Sequence, residues 1–277
     1  MAPVAALAAA GIPYGLHHTT PLTGHGLSIT LVVIAAAAVV AVIPTALGRR
    51  AERQLPVVLA LRPGAADIRA IETDDLDFGA ALHAETLPHG FFAELGHRFL
   101  RAYLATFVDS PHAVALLVSA QDAPVGTVVG ILRPDEQARW VLRHRGVRLA
   151  LIGGIALAAR PRLVLRFART RISRYRRAWG RRRASPASGS TGQPAVLSHV
   201  AVAPGAGGAG LGGQLVHAFV DAARDAGCSR VVLATLAGEN GAAGFYRRLG
   251  WVERTPHRDF DGQSMISFSL QLPSEER

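Results

Sequence analysis

Ala195-Val-Leu-Ser-His-Val-Ala-Val-Ala-Pro-Gly205-Ala-Gly-Gly-Ala-Gly-Leu-Gly-Gly213 is the stretch on which the reading of this chain turns. Its first half reads as a strand, its glycines as a turn, and a helix follows from about Leu211 through Ala226. A strand that feeds through glycines into a helix start leaves several backbone N–H groups unpaired. They lie at the positive end of the helix dipole, and phosphate oxygens satisfy them. Glycine is needed because side chains would block a diphosphate and because some positions call for positive φ. Taken alone, the unit also describes dinucleotide-binding folds and plain flexible loops, so the flanks must choose.

Downstream come a second strand, Ser229 to Leu236, and then Glu239-Asn240-Gly-Ala-Ala243-Gly-Phe245-Tyr246-Arg-Arg-Leu-Gly250-Trp251-Val. Together the two segments resemble the GNAT superfamily of acyl-CoA N-acyltransferases. The acyl-CoA turn of that family reads Arg/Gln-Gly-x-Gly-Gly/Leu-Gly, and its later motif reads Asn-x-x-Ala-x-x-Phe-Tyr-x-x-x-Gly-Phe. Here the turn becomes Gly207-Gly208-Ala209-Gly210-Leu211-Gly212. The later motif is met at Asn240, Ala243, Gly250 and Trp251, with a slip of one residue at Phe245-Tyr246. The resemblance is close over 195–272 and looser back to Asp67. It departs at Gly207, where the family has Arg or Gln. Backbone donors survive that change, and Arg247 or Arg248 could compensate electrostatically or simply cover a solvated helix face.

The resemblance implies a mixed, twisted α/β sheet of about six or seven strands flanked by helices. It implies acetyl-CoA, or another acyl-CoA, as co-substrate, no metal, and transfer of the acyl group to an amine acceptor by direct attack on the thioester. Cofactor contacts are expected from Val200 and Val202 on the strand and from Gly207, Gly208, Ala209, Gly210, Leu211 and Gly212 in the turn. Asn240 is expected on the pantetheine arm, or only as a helix cap. A backbone N–H near Val202 would face the oxyanion. Tyr246 is expected to protonate the departing thiolate. His199 is the candidate base, because an imidazole titrates near neutral pH, with a structural role in the sheet as the other reading. The single cysteine, Cys228, excludes an internal disulfide framework and a cysteine-built zinc site, and reads as packing. The 11 histidines show no metal-binding spacing.

Upstream, a strand is predicted over Asp67 to Thr73, followed by an acidic helix start at Asp74 to Asp77 that runs to about Thr86. A second helix is predicted over Gly90 to Val108, where Phe91, Phe92, Leu95, Phe99, Tyr103 and Phe107 recur at spacings of three and four. Strands over His112 to Ala120 and Val125 to Leu132, separated by Gln121 to Pro124, predict a hairpin. Earlier still, Leu27 to Leu47 carries no charge. At ~1.5 Å per residue it matches a ~30 Å hydrocarbon layer, so a transmembrane helix is expected at 27–48, after a tail at 1–26. Arg49, Arg50 and Arg53 follow it, which places the acyltransferase domain, 57–272, on the cytoplasmic face of the cell membrane. The alternatives are a buried Ala-rich helix, a targeting segment, or an upstream start adding residues that are never made; these leave the enzyme cytoplasmic.

The chain contains no lysine, and its net charge of +10 is unevenly placed. Arg139 to Arg183 holds 15 arginines and no acid; subtracting them from +10 leaves −5 for the rest. This block belongs to a basic insertion and linker at 135–194, whose opening stretch, Val147 to Ala159, is apolar but too short to span a bilayer. Leu163, Phe167, Ile172, Tyr175 and Trp179 are interleaved with its later arginines. Such a segment could lie on an anionic lipid surface, bind nucleic acid, or be a solvated insertion. Nucleic acid ranks lowest because no recognised motif accompanies the charge. Two functions therefore stand: an N-acyltransferase, membrane association included, or a membrane-attached, catalytically degenerate module that binds acyl-CoA or regulates.

Overall fold

Runs of Val, Leu, Ala and Ile long enough to cover two faces of a strand pair into one sheet. The computed structural model describes residues 6–7, 66–87, 91–158, 160, 163–164, 194–238, 241–258 and 262–273. The strands are β1 (Ala6–Leu7), β2 (Ala66–Ala70), β3 (Ala113–Ala120), β4 (Ala123–Ile131), β5 (Ala195–Val202), β6 (Arg230–Leu236), β7 (Val252–Glu253), β8 (His257–Arg258) and β9 (Ser264–Gln271). Their order is β2-β3-β4-β5-β6-β9-β7, with β1 added to β5 and β8 to β9. Three of the nine are two residues long, so the main sheet matches the expected six or seven strands. All pairings are antiparallel except β5 with β6.

The β3–β4 hairpin is tighter than its sequence suggests. Gln121 and Asp122 have φ of 52° and 60°, the signature of a two-residue turn whose twist suits flanking strands. Ala123 and Pro124, expected in the loop, already pair with Ala120 and Ser119. Proline is tolerated there because β5 joins β4 only from Gly126 onward, so its missing N–H breaks no second ladder.

Seven helices flank the sheet among the described residues: α1 (Leu76–Thr86), α2 (Phe91–Glu94), α3 (His97–Val108), α4 (Pro134–His144), α5 (Gly146–Ala158), α6 (Leu211–Asp225) and α7 (Ala243–Arg248). The single helix expected over Gly90 to Val108 is broken, because Gly96, at φ 93°, ends one turn and begins α3. Its aromatic stripe survives the break. Leu95, Phe99, Tyr103 and Phe107 are buried, with the Tyr103 ring 4.7 Å from Phe92 and 5.1 Å from Phe107. This side of the sheet forms one core layer. On the other side α6 and α7 cover β4, β5, β6 and β9 through Leu215, Phe219, Tyr246 and Phe268. α6 sits so close that a Cβ at Gly130 would come 2.3 Å from Phe219 Cε2.

The beginning of the basic insertion belongs to the core. Val141 of α4 and Leu149 and Leu157 of α5 are buried with Phe99 and Tyr103. Gln137 Nε2 donates to the Thr106 carbonyl at 2.9 Å while its Oε1 accepts from Ser110, and Arg145 pairs with Asp109 at 2.6 Å. Residues 165–193 and the expected membrane span at 27–48 lie outside the described residues. Among the described residues no helix is long and apolar enough to cross a membrane.

Candidate functional site

The two parallel strands part company early. β5 and β6 are in register only at Ala195↔Val231 and Val196↔Val232. Beyond that point β5 stays with β4 as far as Val202, and β6 stays with β9 as far as Leu236, so a gap opens between their C-terminal ends. Ala203 N donates to the Val125 carbonyl at 2.8 Å, toward β4. Backbone groups alternate along a strand, so the N–H groups of Val202 and Val200 point the other way, into the gap. Ala6–Leu7 lies in this gap, pairing Ala6↔Val200 and Leu7↔His199 and lying against β6 as well.

The glycine turn stands at the end of β5. One 3-10 turn, Pro204–Ala206, leads to Gly207 at φ −64°, ψ 140°. Gly208 then takes φ 91° and Gly210 φ 77°, with Gly210 as the N-cap of α6. Gln214 N, bonded to Gly210 O at 3.1 Å, is the first donor to reach back along α6. The N–H groups of Leu211, Gly212 and Gly213 precede it and have no intrahelical partner. Gly207, Gly208 and Gly210 are exposed. A Cβ on Gly212 would stand 3.6 Å from Phe245 and 3.8 Å from Val202, so the turn, the strand end and α7 meet there. The structure thus brings together Val200, Val202 and Gly207, Gly208, Ala209, Gly210, Leu211 and Gly212; Asn240 lies outside the described residues.

Tyr246 lies on α7, next to the Phe245 that borders Gly212. The helix is held on the end of β6 by a bond the sequence reading missed, Ala242 N to Thr235 Oγ1 at 3.0 Å, with Thr235 fully buried. Its one signal is a polar residue inside the apolar run Val231 to Leu236. Tyr246 N bonds to Ala242 O at 3.2 Å, so Ala242, rather than Ala243, stands one turn before the tyrosine. The one-residue slip is absorbed at Gly241, where a Cβ would lie 1.7 Å from the Leu236 carbonyl oxygen. The Tyr246 ring is fully buried, with Phe245, Trp251 and Phe268 at 5.0, 5.6 and 5.7 Å. Its hydroxyl has no hydrogen-bond partner, and burial pushes the phenol above its ordinary range. A buried unpartnered hydroxyl is costly unless something else fills its hydrogen bond.

His199 is buried with its ring 4.6 Å from His83 of α1, edge to face, and 6.4 Å from Phe107 of α3. Nε2 of His199 and Nδ1 of His83 have no partner. Burial, and then the neighbouring His83, hold His199 well below 6.5; burial alone brings His83 to about 4. A site that disfavours imidazolium this strongly is a weak acceptor for an ammonium proton. It also makes stability pH-dependent. Above pH 6.5 both histidines are neutral folded or unfolded. Below 6.5 the unfolded chain binds protons that the folded pair refuses. Stability should therefore fall by about 1.4 kcal/mol per pH unit for each histidine as pH drops from 6.5 toward 4. Urea midpoints across that window check this, and the fall should lessen in His83→Leu.

Arg247 is bound to Glu253, Nε to Oε2 at 2.6 Å, and so is already engaged away from the turn. Cys228 is a buried free thiol against the Leu132 carbonyl at 3.5 Å, its pKa raised by burial, as suits packing. Among the described residues no group of three His, Cys, Asp or Glu could hold a metal ion.

A model of the acetyltransferase (GNAT) family matches residues 81–251, more than half of the chain. No curated protein matches it in sequence. Similar solved structures include the ribosomal-protein-S18-alanine N-acetyltransferase from Escherichia coli, at 16% identity and TM-score 0.44, covering 76% of this chain and 98% of that one. The ribosomal-protein-alanine N-acetyltransferase from Brucella melitensis has 15% identity and TM-score 0.46, covering 74% and 99%. An N-acetyltransferase from Staphylococcus aureus Mu50 has 11% identity and TM-score 0.47, covering 75% and 99%.

Proposed function

The chain belongs to the acetyltransferase (GNAT) family and is an acyltransferase that uses acyl-CoA and an amine; on that premise we propose that it transfers an acetyl group from acetyl-CoA by direct attack on the thioester. The observation that carries the reading is the gap between β5 and β6, which opens beside the exposed glycine turn and within reach of a helix presenting an unpartnered tyrosine hydroxyl. These residues fit an acyl-CoA: free backbone donors for the diphosphate, a strand lip for the pantetheine amides once Ala6–Leu7 leaves it, and a donor for the sulfur.

The thioester supplies the acyl group; the amine nitrogen bonds to its carbonyl carbon as the carbon–sulfur bond breaks. Val202 N–H stabilises the oxygen that becomes negative. Tyr246 stays protonated through the cycle and donates a hydrogen bond to the leaving sulfur. The thiolate of a thiol near pKa ~8.5 is a weaker base than this phenolate, so full transfer from tyrosine is uphill. The proton that ends on sulfur is the one shed by the attacking nitrogen. Because His199 and His83 resist protonation, the amine enters neutral, and the rate should rise with pH as the acceptor loses its ammonium proton.

Ala6–Leu7 occupies backbone positions on β5 that the pantetheine needs, so acyl-CoA must displace it. At about 1 kcal/mol net for each backbone bond, deleting residues 1–7 should tighten acetyl-CoA binding about tenfold by calorimetry. An unchanged Kd means the strand does not compete. Gly207 invites the opposite kind of change. Its φ of −64° suits any residue, and the nearest atom to an added Cβ, Pro204 O at 3.3 Å, has only to give slightly. Gly207→Arg places a charge-assisted donor at the diphosphate and should lower the acetyl-CoA Kd about tenfold.

Thiol release from acetyl-CoA across a panel of primary amines tests the function. Turnover with at least one amine supports it; tight acetyl-CoA binding with no turnover across peptide, polyamine and amino-sugar acceptors supports the degenerate binding module, which the missing cation at Gly207 favours.

A further inference from the structure

Five large apolar side chains are strongly exposed among the described residues, and three of them sit on one helix: Val147, Leu151 and Ile155 of α5, at 71%, 48% and 57%. A spacing of four places them in one row about 12 Å long. The opposite face of α5, with Leu149, Ala150, Gly153, Gly154 and Leu157, is buried against the core. α5 therefore has two apolar faces, and only one has a partner among the described residues. Apolar residues scattered singly on a surface need no explanation, whereas a contiguous row does. Val164, 40% exposed, adds a fourth just beyond the helix.

The exposed charged side chains of α5 and of the turn before it are arginines. Arg148 is exposed within the helix and Arg143 just before it. No Asp or Glu occurs from 139 to 183, a stretch with 15 arginines. We propose that the outer face of α5 docks on an anionic lipid surface, with Val147, Leu151 and Ile155 in the acyl boundary and Arg143 and Arg148 among the headgroups. At 13 residues, about 20 Å, α5 cannot cross a hydrocarbon layer of about 30 Å and lies in its plane. Two other partners fit less well. A second copy of the chain would set one arginine-rich face against another. A nucleic acid would meet the arginines but leave the aliphatic row in water. An anionic bilayer satisfies both halves. This surface stands on its own observations and holds whatever acceptor the active site takes.

A probe on the helix tests it independently of the rest of the chain. The full-length protein with Cys228→Ala and Ile155→Cys is labelled with an environment-sensitive fluorophore and titrated with phosphatidylcholine vesicles, with and without phosphatidylglycerol. A blue shift on the anionic vesicles is expected, with half-saturation at least about tenfold weaker on phosphatidylcholine alone and in Val147→Glu/Leu151→Glu. A label at Asp225→Cys on α6 should not respond, and circular dichroism and acetyl-CoA affinity should be unchanged by the double substitution. No shift on anionic vesicles overturns the proposal. So does an equal shift on neutral vesicles, a shift that survives the two glutamates, or one that appears without lipid as protein concentration rises.

Discussion

Tyr246→Phe should lower kcat about 10²-fold while leaving the folded protein as stable as before or more so. The two halves of this expectation have one cause. The hydroxyl is fully buried and has no hydrogen-bond partner, so in the free protein it contributes only its desolvation penalty. Phenylalanine keeps the ring and its contacts with Phe245, Trp251 and Phe268. Removing the oxygen should therefore raise unfolding free energy by up to about 1 kcal/mol. In the proposed mechanism the same oxygen faces the sulfur as charge gathers there. Losing a positioned donor to a developing anion typically costs about 10² to 10³ in kcat. The KM for acetyl-CoA should change little, because the diphosphate contacts lie elsewhere. Urea denaturation and steady-state thiol release on the same preparation separate the outcomes. A variant both slower and clearly less stable would mean that the hydroxyl is structural. One that turns over at the normal rate would remove Tyr246 from the site.

Why the strand, turn and α7 were legible while their chemistry was only partly so is a matter of range. The glycine turn declares itself because its demands are local: φ of 91° and 77° at Gly208 and Gly210 is a property that glycine alone meets cheaply. The hairpin is similarly local, although Gln121-Asp122 lacks glycine and its two positive φ values could not be foreseen. The break at Gly96 hid because Leu95 and Phe99 keep helical spacing across it, so periodicity saw one helix where two meet. α4 and α5 hid for another reason. Val141 is diluted by arginines, and Leu149 and Leu157 lie in a stretch apolar on more than one face, so neither pattern says which residues meet a core. His199 shows the limit most plainly. As one residue on a strand it suggests a titrating base, and its complete burial, together with the distant helix that brings His83 to 4.6 Å, changes that chemistry. The direction of the Val202 N–H depends likewise on the β4 register, which no local pattern encodes.

Gly210→Val should weaken acetyl-CoA binding by at least tenfold with little change in kcat, the converse of the tyrosine variant. Gly210 caps α6 at φ 77°, ψ −1°, and nothing lies within 4 Å of the place an added Cβ would take. Crowding is therefore not the issue; backbone conformation is. A β-branched residue held in the left-handed region costs about 1 to 3 kcal/mol, and the chain can relieve that strain by rotating the turn. Rotation would swing the free N–H groups of Leu211, Gly212 and Gly213 away from the direction they share at the start of α6. In the proposed site those donors hold the diphosphate and not the reacting carbon, so the loss should appear in Kd and KM. Gly210→Asn is the decisive companion, because asparagine tolerates the left-handed region far better than valine does. If conformation is what matters, Asn should bind within a few-fold of the parent. Calorimetry on the two variants therefore distinguishes a turn that works through its backbone from one that works by leaving room. Equal weakening by Asn and Val would point to obstruction by any side chain, and no weakening by Val would place the diphosphate somewhere other than the start of α6.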